Sequence, residues 1–345
     1  PQPLVLRAAE GECVEVTLTN QIDAGFLAHT GEADGDATIY EDVQQVLAAG
    51  LRVSLHPQLV SYDVTRGDGA AIGFNGDQSV APGERFTYRW YADNVTNGEL
   101  GATSLSSMGD VGGHRHHGLL ASLVVEPKGS TWHDPHTGAA GTTRPDADVR
   151  VPGAKDFREH VLMYQDALNL RDTTGRPFPD AYSRDPEDRG EVGINFGRAG
   201  FPQRLDTWEI DRMTPDAALL SGVFSSTLHG DPSTPVVEAE TGDQLRVRVV
   251  VSGDRSRQHA FAMTGHGWFT APGNPRSRYT GVQGGISALG NVNIETVAGG
   301  GIDAAGDYLY GDFMGKQNLS GGSWGLLRVH PRGTSTLRPL DVDVP

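Results

Sequence analysis

Glu10-Gly11-Glu12, followed by Cys13-Val14-Glu15-Val16-Thr17-Leu18-Thr19-Asn20, is the stretch whose reading decides the fold. A glycine between two acidic residues marks a turn, because glycine accepts backbone angles that other residues resist. After the turn, Val14, Val16 and Leu18 alternate with glutamate and threonine. A period of two puts the apolar side chains on one face of a strand and the polar ones on the other. The same unit returns far downstream as Glu240-Thr241-Gly242-Asp243, then Gln244-Leu245-Arg246-Val247-Arg248-Val249-Val250-Val251. One turn-plus-strand unit in each half is an internal repeat, and it predicts two β-sandwiches of one kind.

Working outward, Ala81-Pro82-Gly83-Glu84 is a turn leading into the alternating Arg85-Phe86-Thr87-Tyr88-Arg89-Trp90-Tyr91. The apolar run Leu119-Leu120-Ala121-Ser122-Leu123-Val124-Val125, ending at Glu126-Pro127, reads as a buried strand that closes the first half. Capped helical patterns are absent apart from a short one over 40–49. From 128 to 155 the chain turns polar and rich in Gly, Pro, Thr and Asp, which predicts an irregular linker. The second half then starts at His160-Val161-Leu162-Met163-Tyr164-Gln165-Asp166. The expected organisation is an all-β chain with a domain at 1–127, a linker at 128–155 and a domain at 156–345. A length of 345 residues gives each domain enough chain for its own core.

A net charge of −16 argues against a nucleic-acid partner, since phosphate binding is driven by Lys and Arg displacing counterions. The same charge concentrates small cations near the surface. The most apolar stretches, 119–125 and 245–251, have strand length and are too short to span a bilayer. A single cysteine, Cys13, permits no intrachain disulfide and reads as a small buried apolar residue. The chain opens on Pro-Gln-Pro rather than Met, as expected of a processed or excised piece of a longer precursor.

Several stretches, in order along both halves, resemble the multicopper oxidase family. They are Pro3-Leu4-Val5-Leu6-Arg7-Ala8 with the strand after it, Val53-Ser54-Leu55-His56-Pro57, the 118–127 run, and His229-Gly230-Asp231-Pro232. Further on come His259-Ala260-Phe261-Ala262-Met263-Thr264-Gly265-His266, Gly306-Asp307-Tyr308-Leu309-Tyr310, and Trp324-Gly325-Leu326-Leu327-Arg328-Val329. The chain is most similar to the large bacterial, manganese-oxidising type. The resemblance implies tandem cupredoxin-like domains, each a Greek-key β-sandwich, and copper as the cofactor of the parent enzyme. It also implies partner cupredoxin domains or subunits, metal ions as ligands or substrates, and an extracytoplasmic or secreted location.

It implies a copper ligand set too, and there this sequence departs from the pattern. A blue copper site takes a thiolate and two imidazoles, because soft sulfur stabilises Cu(I) and sets the potential. In the family the thiolate lies in a His-Cys-His motif, and Gly311-Asp312-Phe313 stands at that place here. Gln317 or Asn318 falls where the second imidazole belongs, and Gly322-Ser323 where the axial Met belongs. His259 survives from a His-x-x-His-x-His pattern whose other members are Ala262 and Thr264. Ser106-Ser107-Met108 replaces another His-x-His, and Gln58 replaces the second His of the pair begun by His56.

The remaining candidate metal ligands are His114, His116 and His117, with His56 and His259. On an extended segment His114 and His116 point the same way, a spacing that suits Cu(II), Zn(II) or Ni(II). A plainer role explains each of them: strand entry for His117, solvated loop residues for His114 and His116, hydrogen-bonded relics of a copper site for His56 and His259. His229 and His266 read as turn residues, and Asp134 in His133-Asp134-Pro135-His136 as part of an Asp-Pro turn. The acidic clusters at 32–36 and 184–191 read as solvated loops, and the glycosylation sequons at Asn94 and Asn318 as chance matches. No nucleophile–base motif is present, so no catalytic residue is expected. The sequence thus leads to a copper-ligand-depleted segment or subunit of a large multicopper oxidase, acting as scaffold and interface. The alternative is a stand-alone protein that binds copper or another metal through its histidines.

Overall fold

The computed structural model describes residues 2–22, 50–93, 101–111, 113–116, 118–168, 191–205, 220–253 and 258–341. In the first half, β1 (Leu4–Ala9), β2 (Cys13–Thr19), β3 (Arg85–Tyr91), β4 (Gly101–Leu105) and β5 (Ala121–Glu126) form two sheets. One has the order β1-β5-β4, with β1 parallel to β5; the other pairs β2 with β3 antiparallel. The alternation read from the sequence is realised in β2. Val14, Val16 and Leu18 turn onto a core of Tyr88, Trp90, Leu105, Leu123 and Val125, while Glu15 and Thr17 stay outside. Cys13 begins the strand on its outward register and is exposed, which corrects the expectation of a buried cysteine.

The second half contains β6 (Thr131–His133), β7 (Asp146–Arg150), β8 (Phe157–Leu168), β9 (Glu191–Ile194), β10 (Val236–Glu240), β11 (Gln244–Val251), β12 (His259–Met263), β13 (Trp268–Phe269), β14 (Tyr279–Thr280), β15 (Val282–Ile286), β16 (Asn291–Val297), β17 (Gly306–Asp312) and β18 (Trp324–His330). Four one- or two-turn α-helices are also described: α1 (Gly113–His116), α2 (Phe201–Arg204), α3 (Ser226–His229) and α4 (Gly315–Gly321). One sheet runs β16-β11-β8-β7-β6 and the other β10-β18-β17-β12-β15. Between them lies the main core, built on Leu162, Tyr164, Val247, Phe261, Trp268, Tyr310 and Leu327.

The stretch expected as an irregular linker instead supplies β6 and β7, which extend the second sheet through β8. Only Ala147 and Val149 point inward from β7, onto Phe157 and Trp132. Two apolar residues among polar turns are too weak a periodic signal to reveal a strand, and pairing with β8 supplies the rest.

β8 is buried on both faces, which explains the unbroken apolar run Val161-Leu162-Met163-Tyr164 at its middle. Leu162 and Tyr164 face the second core, whereas Val161 and Met163 face Val5, Ala102 and Val124 of the first half. Around this apolar contact sits a set of buried ion pairs. Arg7 meets Glu159 at 2.9 Å, Arg246 meets Glu126 at 2.9 Å, and Arg248 contacts both Glu126 and Glu159. Because each charge lies within reach of an opposite one, the two halves are held in one register.

Candidate metal centre

His259 opens β12, and Asp312 closes the neighbouring strand β17. Antiparallel pairing of Phe261 with Asp312 brings the two side chains together at the end of the sheet. The Nδ1 of His259 hydrogen-bonds Asp312 Oδ2, and its Nε2 lies 2.9 Å from Asp166 Oδ2 on β8 in the opposite sheet. The imidazole therefore bridges the two sheets of the second sandwich. Asp312 is fixed in turn: Oδ1 accepts from the backbone N–H of Ala260 and of Met314, both at 3.0 Å. Its Oδ2 also accepts from Asn318 Nδ2 at 2.7 Å, because α4 folds straight back after β17. All four side chains are buried. Gly253 packs so closely that a Cβ there would lie 2.6 Å from Asp166 Oδ2, so a glycine is needed beside this carboxylate.

The electrostatics follow from this arrangement. Burial disfavours the charged imidazolium, but the hydrogen bonds and charges of Asp166 and Asp312 outweigh it and hold the His259 pKa up at about 10. His259 is thus a cation held between two carboxylates at neutral pH. The Tyr164 ring lies 5.5 Å away, and burial pushes its hydroxyl far above the usual phenol range. Asn318, the first residue of one sequon, is buried and bonded to Asp312, so it is no acceptor for a glycan in the folded chain.

In the first half, His56 and His114 approach the same segment. His56 and Ser106 exchange backbone hydrogen bonds at 2.7 and 3.2 Å, so 53–58 and 106–108 run side by side. The His56 ring places Nδ1 2.8 Å from the carbonyl oxygen of Asp68 and 3.4 Å from its carboxylate, which also accepts from Tyr62. His114 is buried in α1, with Nδ1 2.8 Å from Ser107 Oγ and Nε2 2.7 Å from the Gly50 carbonyl. Ser107 also accepts from the Ser54 amide. Segment 113–116 is a helical turn rather than an extended strand, so positions two apart do not face one another. The extended backbone expected for His114 and His116 is replaced by this turn. The His116 side chain and all of His117 lie outside the described residues, as do 40–49, the acidic stretches 32–36 and 184–190, and the Asn94 sequon. His259 sits in the other half, with its own partners.

Among the described residues, no three His, Cys, Asp or Glu side chains are placed to hold one metal ion. Asp134 accepts from the amides of His136 and Thr137, the turn expected for it. His266 Nδ1 bonds the Thr264 carbonyl at 2.9 Å. The sequence reading missed Asp166 as a functional partner of His259. Nothing local signals it, since the two meet only when the sheets close on each other.

No family sequence model matches the chain, and no curated protein matches it at a significant level. Solved structures do. A copper nitrite reductase from Nitrosomonas europaea aligns with a TM-score of 0.52 at 15% identity, over 95% of this chain and 84% of that one. A blue copper oxidase from the same organism gives 0.53 at 16% identity, over 97% and 81%. The multicopper oxidase mgLAC gives 0.53 at 15% identity, over 95% and 77%. No helix among the described residues is long and apolar enough to cross a membrane. The chain has the all-β, cupredoxin-type sandwich fold of these copper proteins.

Proposed function

We propose that this chain is a copper-ligand-depleted pair of cupredoxin-like domains that serves as scaffold and interface within a larger multicopper-oxidase-type assembly. The two domains are taken as 1–127 and 128–345, with the expected linker counted in the second sheet. The observation that carries the proposal is the engagement of His259. A copper ligand must offer a nitrogen lone pair, and both ring nitrogens of His259 are committed to carboxylates on opposite edges of the ring. Asp312 stands at the position where the resemblance places the thiolate, and it accepts four hydrogen bonds instead. Asn318 offers an amide donor where an imidazole is expected. Cys13, the chain's one thiol, sits in the other half at the exposed start of β2. These residues do not fit copper.

On this reading the parent assembly couples one-electron oxidation of a metal ion such as Mn(II) or Fe(II), or of a phenol, to oxygen reduction in an extracytoplasmic setting. This chain contributes its shape and its acidic surface. The stand-alone metal-carrier alternative has less support, because both nitrogens of His114 are already hydrogen-bonded. The test is elemental analysis of the purified chain after loading with Cu(II) and exhaustive dialysis, with a visible spectrum. The proposal expects less than a stoichiometric amount of copper and no intense blue band. One tightly held copper that is lost in His114→Ala would establish the carrier, and a blue band would overturn the ligand assignment.

A further inference from the structure

The loop that precedes β3 carries an exposed apolar tip. Phe74 is fully exposed, and Val64 and Ile72 near it are each more than half exposed. Soluble proteins rarely leave such side chains together in water without a partner. The tip is also firmly built. The Asn75 amide donates to the Ile72 carbonyl at 2.9 Å, with Gly73 at φ +58°, which closes a tight turn around Phe74. Asn75 Nδ2 reaches the Val64 carbonyl at 3.4 Å, and Gln78 Nε2 donates to the same oxygen at 2.9 Å. Gln78 is buried, and its Oε1 accepts from the amides of Asp68 and Gly69. A tip fixed in this way loses little conformational entropy when it docks.

Beside the tip lies a cavity of about 540 Å³. Its recessed side chains are Phe86, half-buried, and Gln78, whereas Asp63, Arg66 and Arg89 line it and are exposed. Tip and cavity are made by one loop: the lining residues Asp63 and Thr65 flank Val64, and Gly76, which also lines it, lies two positions after Phe74. Knob and socket therefore occupy the same face. Such a face is complementary to its own copy across a two-fold axis, since each chain then offers a knob and receives one. The cavity has room for a phenyl ring, and Phe86 supplies an aromatic neighbour for it.

Charge favours the same occupant. The Arg66 amide bonds the Asp63 carbonyl at 2.9 Å, so both side chains sit on one turn. Asp63 Oδ1 accepts from the Thr65 amide and hydroxyl at 2.9 and 2.7 Å, which leaves Oδ2 for a donor from outside. The Arg66 guanidinium pairs with no carboxylate among the described residues. A turn that carries one cation and one carboxylate is self-complementary when a two-fold axis sets it against itself. The neighbouring charges are matched within the chain, Asp77 by Arg52 at 3.1 Å and Arg89 by Glu15 at 2.6 Å. A net charge of −16 opposes association, but physiological salt screens charges farther apart than about 8 Å. An anionic lipid surface meets the same repulsion and leaves the cavity unfilled.

We propose that two copies of this chain associate through this face, Phe74 of each entering the cavity of the other against Phe86, and Arg66 of each pairing with Asp63 of the other. The inference goes beyond the scaffold reading and does not depend on it, because none of these residues contacts His259 or its carboxylates.

The experiment is sedimentation velocity of the full chain at physiological salt, from micromolar to about 1 mM. The proposal expects a reversible monomer–dimer equilibrium with no larger species. Phe74→Ser, at a fully exposed position, is expected to weaken the dimer by at least about tenfold, and Arg66→Glu, which sets like charges face to face, by a similar factor. Ile302→Ser removes another well-exposed apolar side chain, in the second half, and is expected to leave the dimer unchanged. A chain that stays monomeric throughout, whether Phe74 then closes onto its own cavity or enters phosphatidylcholine vesicles, would overturn the proposal. So would open-ended aggregation, a dimer untouched by Phe74→Ser or Arg66→Glu, or one weakened equally by Ile302→Ser.

Discussion

Replacing Asp312 by Asn tests the core of the site account. The carboxylate neutralises a buried imidazolium and accepts from Ala260, Met314 and Asn318. An asparagine oxygen can keep the two backbone donors, but its NH2 group then faces the His259 Nδ1–H and the Asn318 amide, donor against donor. One of the two counter-charges is lost at the same time. Breaking a buried, hydrogen-bonded ion pair from one side costs about 3–5 kcal/mol. Urea unfolding followed by fluorescence measures this as a fall in midpoint at unchanged slope. The pH dependence gives an independent check. His259 has a folded pKa raised to about 10, so its contribution is fully present below its unfolded pKa near 6.5. That contribution declines as pH rises through the window from about 6.5 to 10, by up to about 1.4 kcal/mol per unit. Asp312→Asn is expected to flatten this slope as well as lower stability. A loss below about 1 kcal/mol, or a wild-type slope of zero across that window, would refute the buried-cation account.

Three further outcomes are expected. Glu126→Gln weakens the neutralisation of Arg246 and Arg248 at the contact between the halves, and should cost about 3–5 kcal/mol with faster amide exchange along β5 and β11. Ser107→Ala removes a partner of the buried His114 ring and of the Ser54 amide, and thermal or urea unfolding should show a loss of about 1–3 kcal/mol. Gly322→Ala forces a side chain onto a backbone at φ +118°, where the new Cβ would lie 2.7 Å from the amide nitrogens of Ala199 and Gly200. More than about 2 kcal/mol should be lost, because strain and overlap with backbone add together.

The period-two alternation in 13–20, 85–91 and 244–248 was legible in the sequence because each of these stretches presents one face to a core and one to solvent or charge. The order of motifs conveyed the cupredoxin-type fold. The presence of His259 and Asp312 where the resemblance expects copper ligands was also written in the residues themselves. What those residues do instead was not. His259, Asp166 and Asp312 are far apart along the chain, and only closure of the two sheets makes them an ion triad. The strands β6 and β7 were hidden for a related reason, since their short apolar content gains meaning only beside β8. The conformation at His114 likewise depended on a helical turn that no local pattern announced. Local periodicity follows from one strand's own burial, whereas charge pairing, pKa and edge-strand order depend on neighbours that the chain brings in from a distance.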